Sequence, residues 1–305
     1  MSPVIIPEHL PATEKLNNEN IFVMNKKRAT TQDIRPLQVL ILNLMPTKIV
    51  TETQILRLLS NNLIQIELTF MQMASYESKN TPKSHLDSFY STFHDVYDKR
   101  FDAMIVTGAP IELMEFEDVD YWREFTDILD WAHEKIYSCM FICWSAQAAL
   151  YHYYGVNKRT LNEKVSGIFN HKVINKTAKL TRGFDDFFDA PHSRNTEIIR
   201  EQLLENEDIE IIAESDLVGP HIIASKDRRR LFITGHPEYD KDTLNTEYIR
   251  DVNKGIDIKV PHSYYIDDKP ENGINVTWRG HANLLYANWI NYYVYQETDF
   301  DLNKK

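Results

Sequence analysis

The chain has two cysteines in 305 residues, Cys139 and Cys143, and the second stands where a thiol can react. It closes the apolar run Met140-Phe141-Ile142 and precedes Trp144-Ser145-Ala146-Gln147-Ala148-Ala149. That pattern reads as a buried strand turning directly into a helix of small side chains, with Cys143 at the bend. In α/β hydrolases the nucleophile occupies such an elbow at the carboxyl end of a strand. A helix N-terminus at that point favours a thiolate, and its free backbone amides can hold an oxyanion, the Trp144 amide being the candidate. The competing interpretation is a cysteine packed inside a core strand, the fate of most cysteines and the expectation for Cys139. Phe141 and Ser145 stand where the usual elbow sequence G-x-C-x-G carries glycines, so local sequence leaves the bend open.

A thiol nucleophile needs a base, and Thr234-Gly235-His236-Pro237-Glu238-Tyr239 offers one after another apolar run. Pro237 pushes His236 toward extended backbone. Residues two apart on an extended chain face the same side, so Glu238 can orient the imidazole and stabilise its charged form, as in other nucleophile–histidine–acid triads. By itself a His-x-Glu is more often a turn histidine beside an acid; joined to Cys143 it reads as chemistry. A zinc role for His236 and Glu238 lacks a third ligand at a diagnostic spacing, so no metal is expected.

The elements that must position these groups alternate. Residues 37–44 read as a strand, residues 47–59 as a helix, and residues 63–70 and 101–107 as further strands, the last stopped by Gly108-Ala109-Pro110. Trp122, Phe125, Leu129 and Ala132 recur at helical spacing within 119–135; 136–142 is a strand and Trp144–Tyr154 a helix. Strand–helix alternation predicts a mostly parallel sheet with helices on both faces. Beyond it, 168–174, 209–213, 221–225 and 231–234 read as short strands of a mixed extension, followed by helices over 242–253 and 282–295. The expected organisation is an N-terminal arm, 1–36, and one α/β domain, 37–305.

Composition narrows the partners. The 45 acidic and 34 basic side chains leave a formal charge of -11, which repels phosphate backbones and argues against a nucleic-acid partner. An anionic ligand would need a local basic patch; Arg228-Arg229-Arg230 offers one, although a solvated hairpin tip is the plainer interpretation. The nine glycines form neither a dinucleotide nor a Walker phosphate loop. No secretory signal is visible, the apolar runs fall far short of the roughly 20 residues that span a bilayer, and a C-x3-C pair suits neither a disulfide framework nor a zinc site. A cytoplasmic protein with reduced thiols and no membrane partner is expected.

Specific blocks then point to a family. Asn20-Ile21-Phe22-Val23-Met24, Ile41-Leu42-Asn43-Leu44-Met45-Pro46-Thr47-Lys48, Val106-Thr107-Gly108-Ala109-Pro110, Ile142-Cys143-Trp144, Pro191-His192-Ser193-Arg194, Thr234-Gly235-His236-Pro237-Glu238-Tyr239 and Asn288-Trp289-Ile290-Asn291-Tyr292-Tyr293-Val294-Tyr295-Gln296 run in order along nearly the whole chain. In these the chain resembles the MetA-type homoserine O-acyltransferases of methionine biosynthesis, whose fold is flavodoxin-like and similar to glutamine amidotransferases. The resemblance implies Cys143 as acyl-thioester nucleophile, His236 as proton acceptor and Glu238 as its partner. It implies substrate contacts from Lys164, Ser193 and Arg250. Taken alone, Lys164 and Arg250 could be surface charges and Ser193 a helix cap. It further implies L-homoserine and an acyl-CoA as substrates, no permanently bound cofactor, and a homodimer.

The acyl donor turns on Glu112. In the family the residue after Gly-Ala-Pro-x is glycine in succinyl users and glutamate in acetyl users. A carboxylate there would face the distal carboxylate of a succinyl group, and two like charges about 4 Å apart cost about 4 kcal/mol at an effective dielectric near 20. Acetyl-CoA is the expected co-substrate. An exposed acid in an acidic stretch is the bland alternative for Glu112. The rival functions are a succinyltransferase, a glutamine amidotransferase, which needs an ammonia-accepting partner domain not seen after Glu238, and a non-catalytic binding protein, which would not need all of Cys143, His236 and Glu238.

Overall fold

Four segments of almost unbroken apolar sequence can be accommodated only by burial on both faces, and they form the centre of one twelve-stranded sheet. The computed structural model describes residues 4–19, 23–24, 36–76, 78 and 80–298. Nearly half of the expected arm, part of the Asn20–Met24 block and the C-terminal residues from 299 on lie outside the described residues. The strands are β1 (Val4–Ile5), β2 (Val23–Met24), β3 (Leu37–Leu42), β4 (Ile66–Met71), β5 (Tyr90–Ser91) and β6 (Ala103–Val106). They continue as β7 (Ser138–Ile142), β8 (Lys158–Val173), β9 (Phe187–Ile198), β10 (Ile209–Ser215), β11 (Gly219–Ser225) and β12 (Arg230–Ile233). Their spatial order is β2-β1-β4-β3-β6-β7-β12-β11-β10-β8-β9, with β5 added to the end of β4. Every pairing from β2 to β12 is parallel and every one beyond β12 antiparallel. The expected mostly parallel sheet is thus present, its extension is antiparallel, and β1 and β2 lengthen its parallel edge.

Strand alternation sorts the core into two layers. Val39 and Ile41, Ala103 and Ile105, Met140 and Ile142, and Leu231 and Ile233 point to one face; Leu40 and Leu42, Met104 and Val106, Cys139 and Phe141, and Phe232 point to the other. The helices are α1 (Ala12–Asn18), α2 (Lys48–Ser60), α3 (Lys83–Phe89), α4 (Phe93–Val96), α5 (Trp122–Lys135), α6 (Trp144–Tyr154), α7 (Arg200–Glu205), α8 (Thr243–Asn253) and α9 (Arg279–Asn288). Leu16 of α1, Ile55, Leu56 and Leu59 of α2, and Leu285 and Tyr286 of α9 cover the first face. Phe125 and Leu129 of α5 and Trp144, Ala148 and Leu150 of α6 cover the second. The helix expected over 282–295 is α9 continued by a π-helical stretch, Trp289–Tyr295, whose Trp289 indole donates to Ser138 Oγ at 2.9 Å.

Two expectations change, and a third is decided for its plainer reading. The strand expected at 63 begins at Ile66, because Ile64 N donates to Asn62 Oδ1 at 3.2 Å in an Asx turn. The short strand expected at 168–174 is the end of β8, which is 16 residues long and pairs antiparallel with β9, a strand the sequence did not announce. The polar run Asp189–Glu197 hides β9, since its alternation separates buried polar from half-buried polar residues rather than apolar from polar. Arg228-Arg229-Arg230 forms the turn entering β12, at the amino ends of the parallel strands. Arg229 donates there to the carbonyls of His133, Ile136 and Tyr137, and Arg230 pairs with Asp227; the triplet caps α5 and is not a ligand patch.

The extension buries three imidazoles together. His171 of β8, His192 of β9 and His221 of β11 have ring centroids 4.4 to 5.1 Å apart. His171 and His192 share a hydrogen bond between their Nε2 atoms at 3.0 Å. Burial, which disfavours the charged ring, pushes His171 down to about 4 and holds His192 and His221 well below the usual histidine value. In the unfolded chain such rings titrate near about 6.5. Above that pH both states hold them neutral and they impose no pH dependence. As pH falls below it, the unfolded state takes up protons the folded state refuses, so stability is lost at up to about 1.4 kcal/mol per pH unit per ring. Urea midpoints should therefore fall steadily from about pH 6.5 to about pH 5, and His171→Gln should make the fall shallower. A midpoint indifferent to pH over that interval would contradict neutral burial.

Candidate active site

Parallel pairing brings the carboxyl ends of β6, β7 and β12 to one edge of the sheet, with Val106 beside Phe141 and Ile142 beside Ile233. The residues that follow, Gly108, Cys143 and His236, are therefore neighbours before any side chain is considered. Cys143 N donates to Ile233 O at 2.7 Å, and its carbonyl accepts from Ala146 and Gln147 at the start of α6. Its backbone has φ 53° and ψ -114°, a conformation costly for a residue with a side chain and typical of a nucleophile elbow.

No glycine flanks this bend; Ser145 holds it instead. The Ser145 hydroxyl accepts the Ile142 amide at 2.9 Å and lies 2.8 Å from Val106 O and 3.0 Å from Ile142 O, tying β6, β7 and α6 together. The glycine the bend needs lies on the adjacent strand end. A Cβ at Gly108 would stand 3.2 Å from Cys143 Cβ and 3.4 Å from His236 Cε1. The Trp144 ring is buried, and its amide opens α6, where no intrahelical acceptor exists.

His236 is fixed on every side. Its amide donates to Pro191 O at 2.8 Å, its ring stacks on Tyr239 at 4.1 Å, and Nδ1 meets Glu238 Oε1 at 2.7 Å. With Nδ1 committed to Glu238, Nε2 is the nitrogen available to Cys143. Burial alone would push the ring toward neutrality; the charges of Cys143 and Glu238 and hydrogen bonds to both overcome it and hold His236 well above the usual histidine value. Glu238 is buried behind the ring, and its second oxygen has no hydrogen-bond partner among the described residues. Cys139, one turn of strand earlier, has no such surroundings. Burial pushes its thiol up to about 12, the inert core cysteine expected there.

Above the thiol opens a cleft of about 960 Å³, and Cys143, His236, Lys164, Ser193, Arg250 and Glu112 all line it. Lys164 and Arg250 are not free surface charges: Asp251 grips both, Oδ2 to Lys164 Nζ at 2.9 Å and Oδ1 to Arg250 Nε at 2.7 Å. Ser193 caps no helix. It lies mid-strand on β9 opposite Ser166 and donates to Glu247 Oε2 at 2.5 Å. Glu247 also accepts from Tyr239 OH at 2.8 Å, which joins the substrate wall to the residue under His236. Sequence reasoning missed Glu247 and Asp251. The available signal was spacing, since residues 247, 250 and 251 share one face of a helix. It also missed Arg194, whose buried guanidinium donates to Thr196 O and Val218 O at 2.6 Å and whose charge Cys143 supports against burial.

Among the described residues one group has the spacing of metal ligands, His171, His192 and His221, with candidate nitrogens within 4.8 Å of one another. The Gly235 amide donates to His221 Nδ1 at 3.2 Å, so the cluster floors the segment that carries His236. Arg194 and His236 are the cations beside it, and a dication would meet like charge there. No helix among the described residues is long and apolar enough to cross a membrane.

This geometry agrees with what the chain is similar to. A glutamine amidotransferase from Thermotoga maritima shares the fold with a TM-score of 0.55 at 12% identity, over 84% of this chain and 98% of that one. One from Methylobacillus flagellatus gives 0.53 at 12% identity, over 88% and 99%. Similarity in sequence is far higher elsewhere. A protein named homoserine O-acetyltransferase from Clostridium acetobutylicum is 55% identical over 300 residues, covering 98% of this chain and 100% of its own. Its namesake from Brevibacillus brevis is 56% identical over 301 residues, covering 99% and 98%. Residues 3–300 match the family described as Homoserine O-succinyltransferase. With full-length relatives at such identity and a match of that extent, the chain belongs to the homoserine O-succinyltransferase family.

Proposed function

We propose that this protein is a homoserine O-acetyltransferase, moving an acetyl group from acetyl-CoA to the γ-hydroxyl of L-homoserine through an acyl-cysteine at Cys143. The observation that carries the reading is the buried line Cys143–His236–Glu238 opening onto a cleft that also holds Glu112. The two names found among the relatives and in the family description differ in the acyl donor; the relatives' name and the charge of Glu112 both favour acetyl. The Glu112 carboxylate lines the same cleft as the thiol, and a succinyl group bound there would bring a second negative charge.

The steps follow from the charges. The Cys143 thiolate attacks the thioester carbonyl of acetyl-CoA, and the Trp144 amide at the start of α6 stabilises the oxyanion. The carbon–sulfur bond to coenzyme A breaks, and His236 gives its proton to the departing thiolate. Acylation removes the Cys143 charge, one of the two anions that hold the proton on His236, so the ring is left neutral and able to act as a base. Homoserine enters with its carboxylate toward Arg250 and Lys164 and its ammonium toward Glu247. His236 takes the γ-hydroxyl proton as that oxygen attacks the acyl-cysteine, and collapse restores thiolate and imidazolium. Work in the cytoplasm as a homodimer completes the reading and rests on the family resemblance alone.

Three outcomes test this. Incubation with acetyl-CoA should acetylate the protein on Cys143 and, with homoserine added, yield O-acetylhomoserine; Cys143→Ala should give neither, and full turnover by that variant would remove the cysteine from the mechanism. Glu112→Gly should move the ratio of kcat/KM values toward succinyl-CoA by up to about a thousandfold, and an unchanged ratio would refute the charge argument. Asp251→Asn releases Lys164 and Arg250, so the KM for homoserine should rise by about tenfold or more while acylation by acetyl-CoA stays near wild type. A slower acylation step with homoserine KM unchanged would place Asp251 elsewhere in the reaction.

A further inference from the structure

Glu112 belongs to no helix or strand. It lies in the connection between β6 and the 3-10 turn Phe116–Asp118, so nothing in its own segment fixes where its carboxylate points. A half-buried carboxylate on a connecting segment can still adopt more than one rotamer, and charge repulsion fades with distance and with solvent screening. A selectivity based on that charge needs the charge held in place.

The hold comes from the antiparallel extension. Asn195 Nδ2 donates to Glu112 Oε1 at 2.7 Å across 83 positions of sequence. Lys158, at the start of β8, donates to Glu112 O at 2.6 Å and to Met114 O, with its ammonium 4.3 Å over the Phe116 ring. Lys158 thus anchors the backbone and Asn195 aims the side chain. Asn195 can do so because of where β9 puts it. Buried His192, Arg194 and Thr196 alternate with half-buried Ser193 and Asn195, which line the cleft. The β8–β9 ladder is irregular between Thr160 and Val165, opposite Asn195, and there the regular cross-strand pairing that would flank it is interrupted.

We propose that Asn195 is a second determinant of acyl-donor choice, a positioning residue that holds the Glu112 carboxylate across the acyl end of the cleft. The inference rests on the acetyltransferase reading above. An amide suits the role, because it donates to a carboxylate without cancelling its charge; a lysine or arginine at 195 would neutralise the repulsion that Glu112 supplies. With the amide gone, Glu112 swings toward solvent and a dicarboxylic acyl group is no longer excluded.

The test is the ratio of kcat/KM for succinyl-CoA to that for acetyl-CoA, measured on the whole enzyme with homoserine. Asn195→Ala should raise the ratio by about tenfold or more, the scale of one hydrogen bond to a charged group. In a Glu112→Gly background the same substitution should leave the ratio within about twofold, because no carboxylate remains to be held. Asn195→Gln, which keeps the amide, should recover part of the wild-type ratio, and Asn195→Ser, too short to reach Glu112, stands in for the alanine variant if that one fails to fold. Equal loss of both activities, or an equal change of ratio with and without Glu112, would make Asn195 merely structural and overturn the proposal. Wild-type protein that accepts acetyl-CoA while the ratio ignores Asn195 sinks this inference alone; wild-type protein that accepts neither donor sinks the acetyltransferase reading and the inference with it.

Discussion

A buried imidazole held between Cys143 and Glu238 is the interaction on which the site depends. His236 is 3% exposed, and a charged ring so far from water is stable only beside compensating charge. Cys143 and Glu238 supply it from opposite sides, and the rest of the local structure keeps the three in line. Pairing of β7 with β12 sets the distance between the strand ends. The positive φ of Cys143 turns its side chain out of the sheet, and Ser145 ties the bend to β6. Gly108 leaves the room that the thiol and the ring occupy. The strain of the elbow is borne by a core layered on both sides of the sheet, which gives the bend no alternative that preserves the packing of Phe141 and Ile142.

The parallel half of the sheet carries Cys143 and His236, and the antiparallel half with α8 supplies the facing wall of the cleft. Lys164, Ser193 and Asn195 stand on the β8–β9 hairpin, while Glu247, Arg250 and Asp251 face them from α8. The walls balance cations against carboxylates. Asp251 takes hydrogen bonds from both cations, and these outweigh the effect of burial and keep its carboxyl below the usual value. The two cations are thereby held in place by one carboxylate. Glu247 joins the two halves, since Ser193 on one wall and Tyr239 beneath His236 both donate to it.

The neutral histidine cluster belongs to the same architecture. Gly235 must pass over it with no side chain, because a Cβ there would come within 2.6 Å of Pro191 O and 2.9 Å of His192 Nε2. The next residue, His236, shifts the other way: burial holds the clustered rings below the usual histidine value, while Cys143 and Glu238 raise His236 above it, so the difference lies in the neighbours and not in the residue type.

Much of this was legible in the sequence. Largely apolar runs at 37–44, 101–107, 136–142 and 231–234 pointed to a parallel sheet, and a thiol and an imidazole each placed just after such a run belong at its carboxyl edge. Glu238 followed from the two-residue repeat of extended backbone. What sequence could not supply was the wall opposite. The strand β9 is polar throughout its working stretch, so the hydrophobic alternation that announces a strand is missing, although its backbone pairs with β8 along nearly its whole length. The contacts of Glu112 with Asn195, of Ser193 with Glu247 and of Lys164 with Asp251 span 83, 54 and 87 positions. Local pattern determines which residues are buried and which elements form; hydrogen bonds between polar residues so far apart exist only once the sheet has chosen its register, and that choice belongs to the tertiary structure.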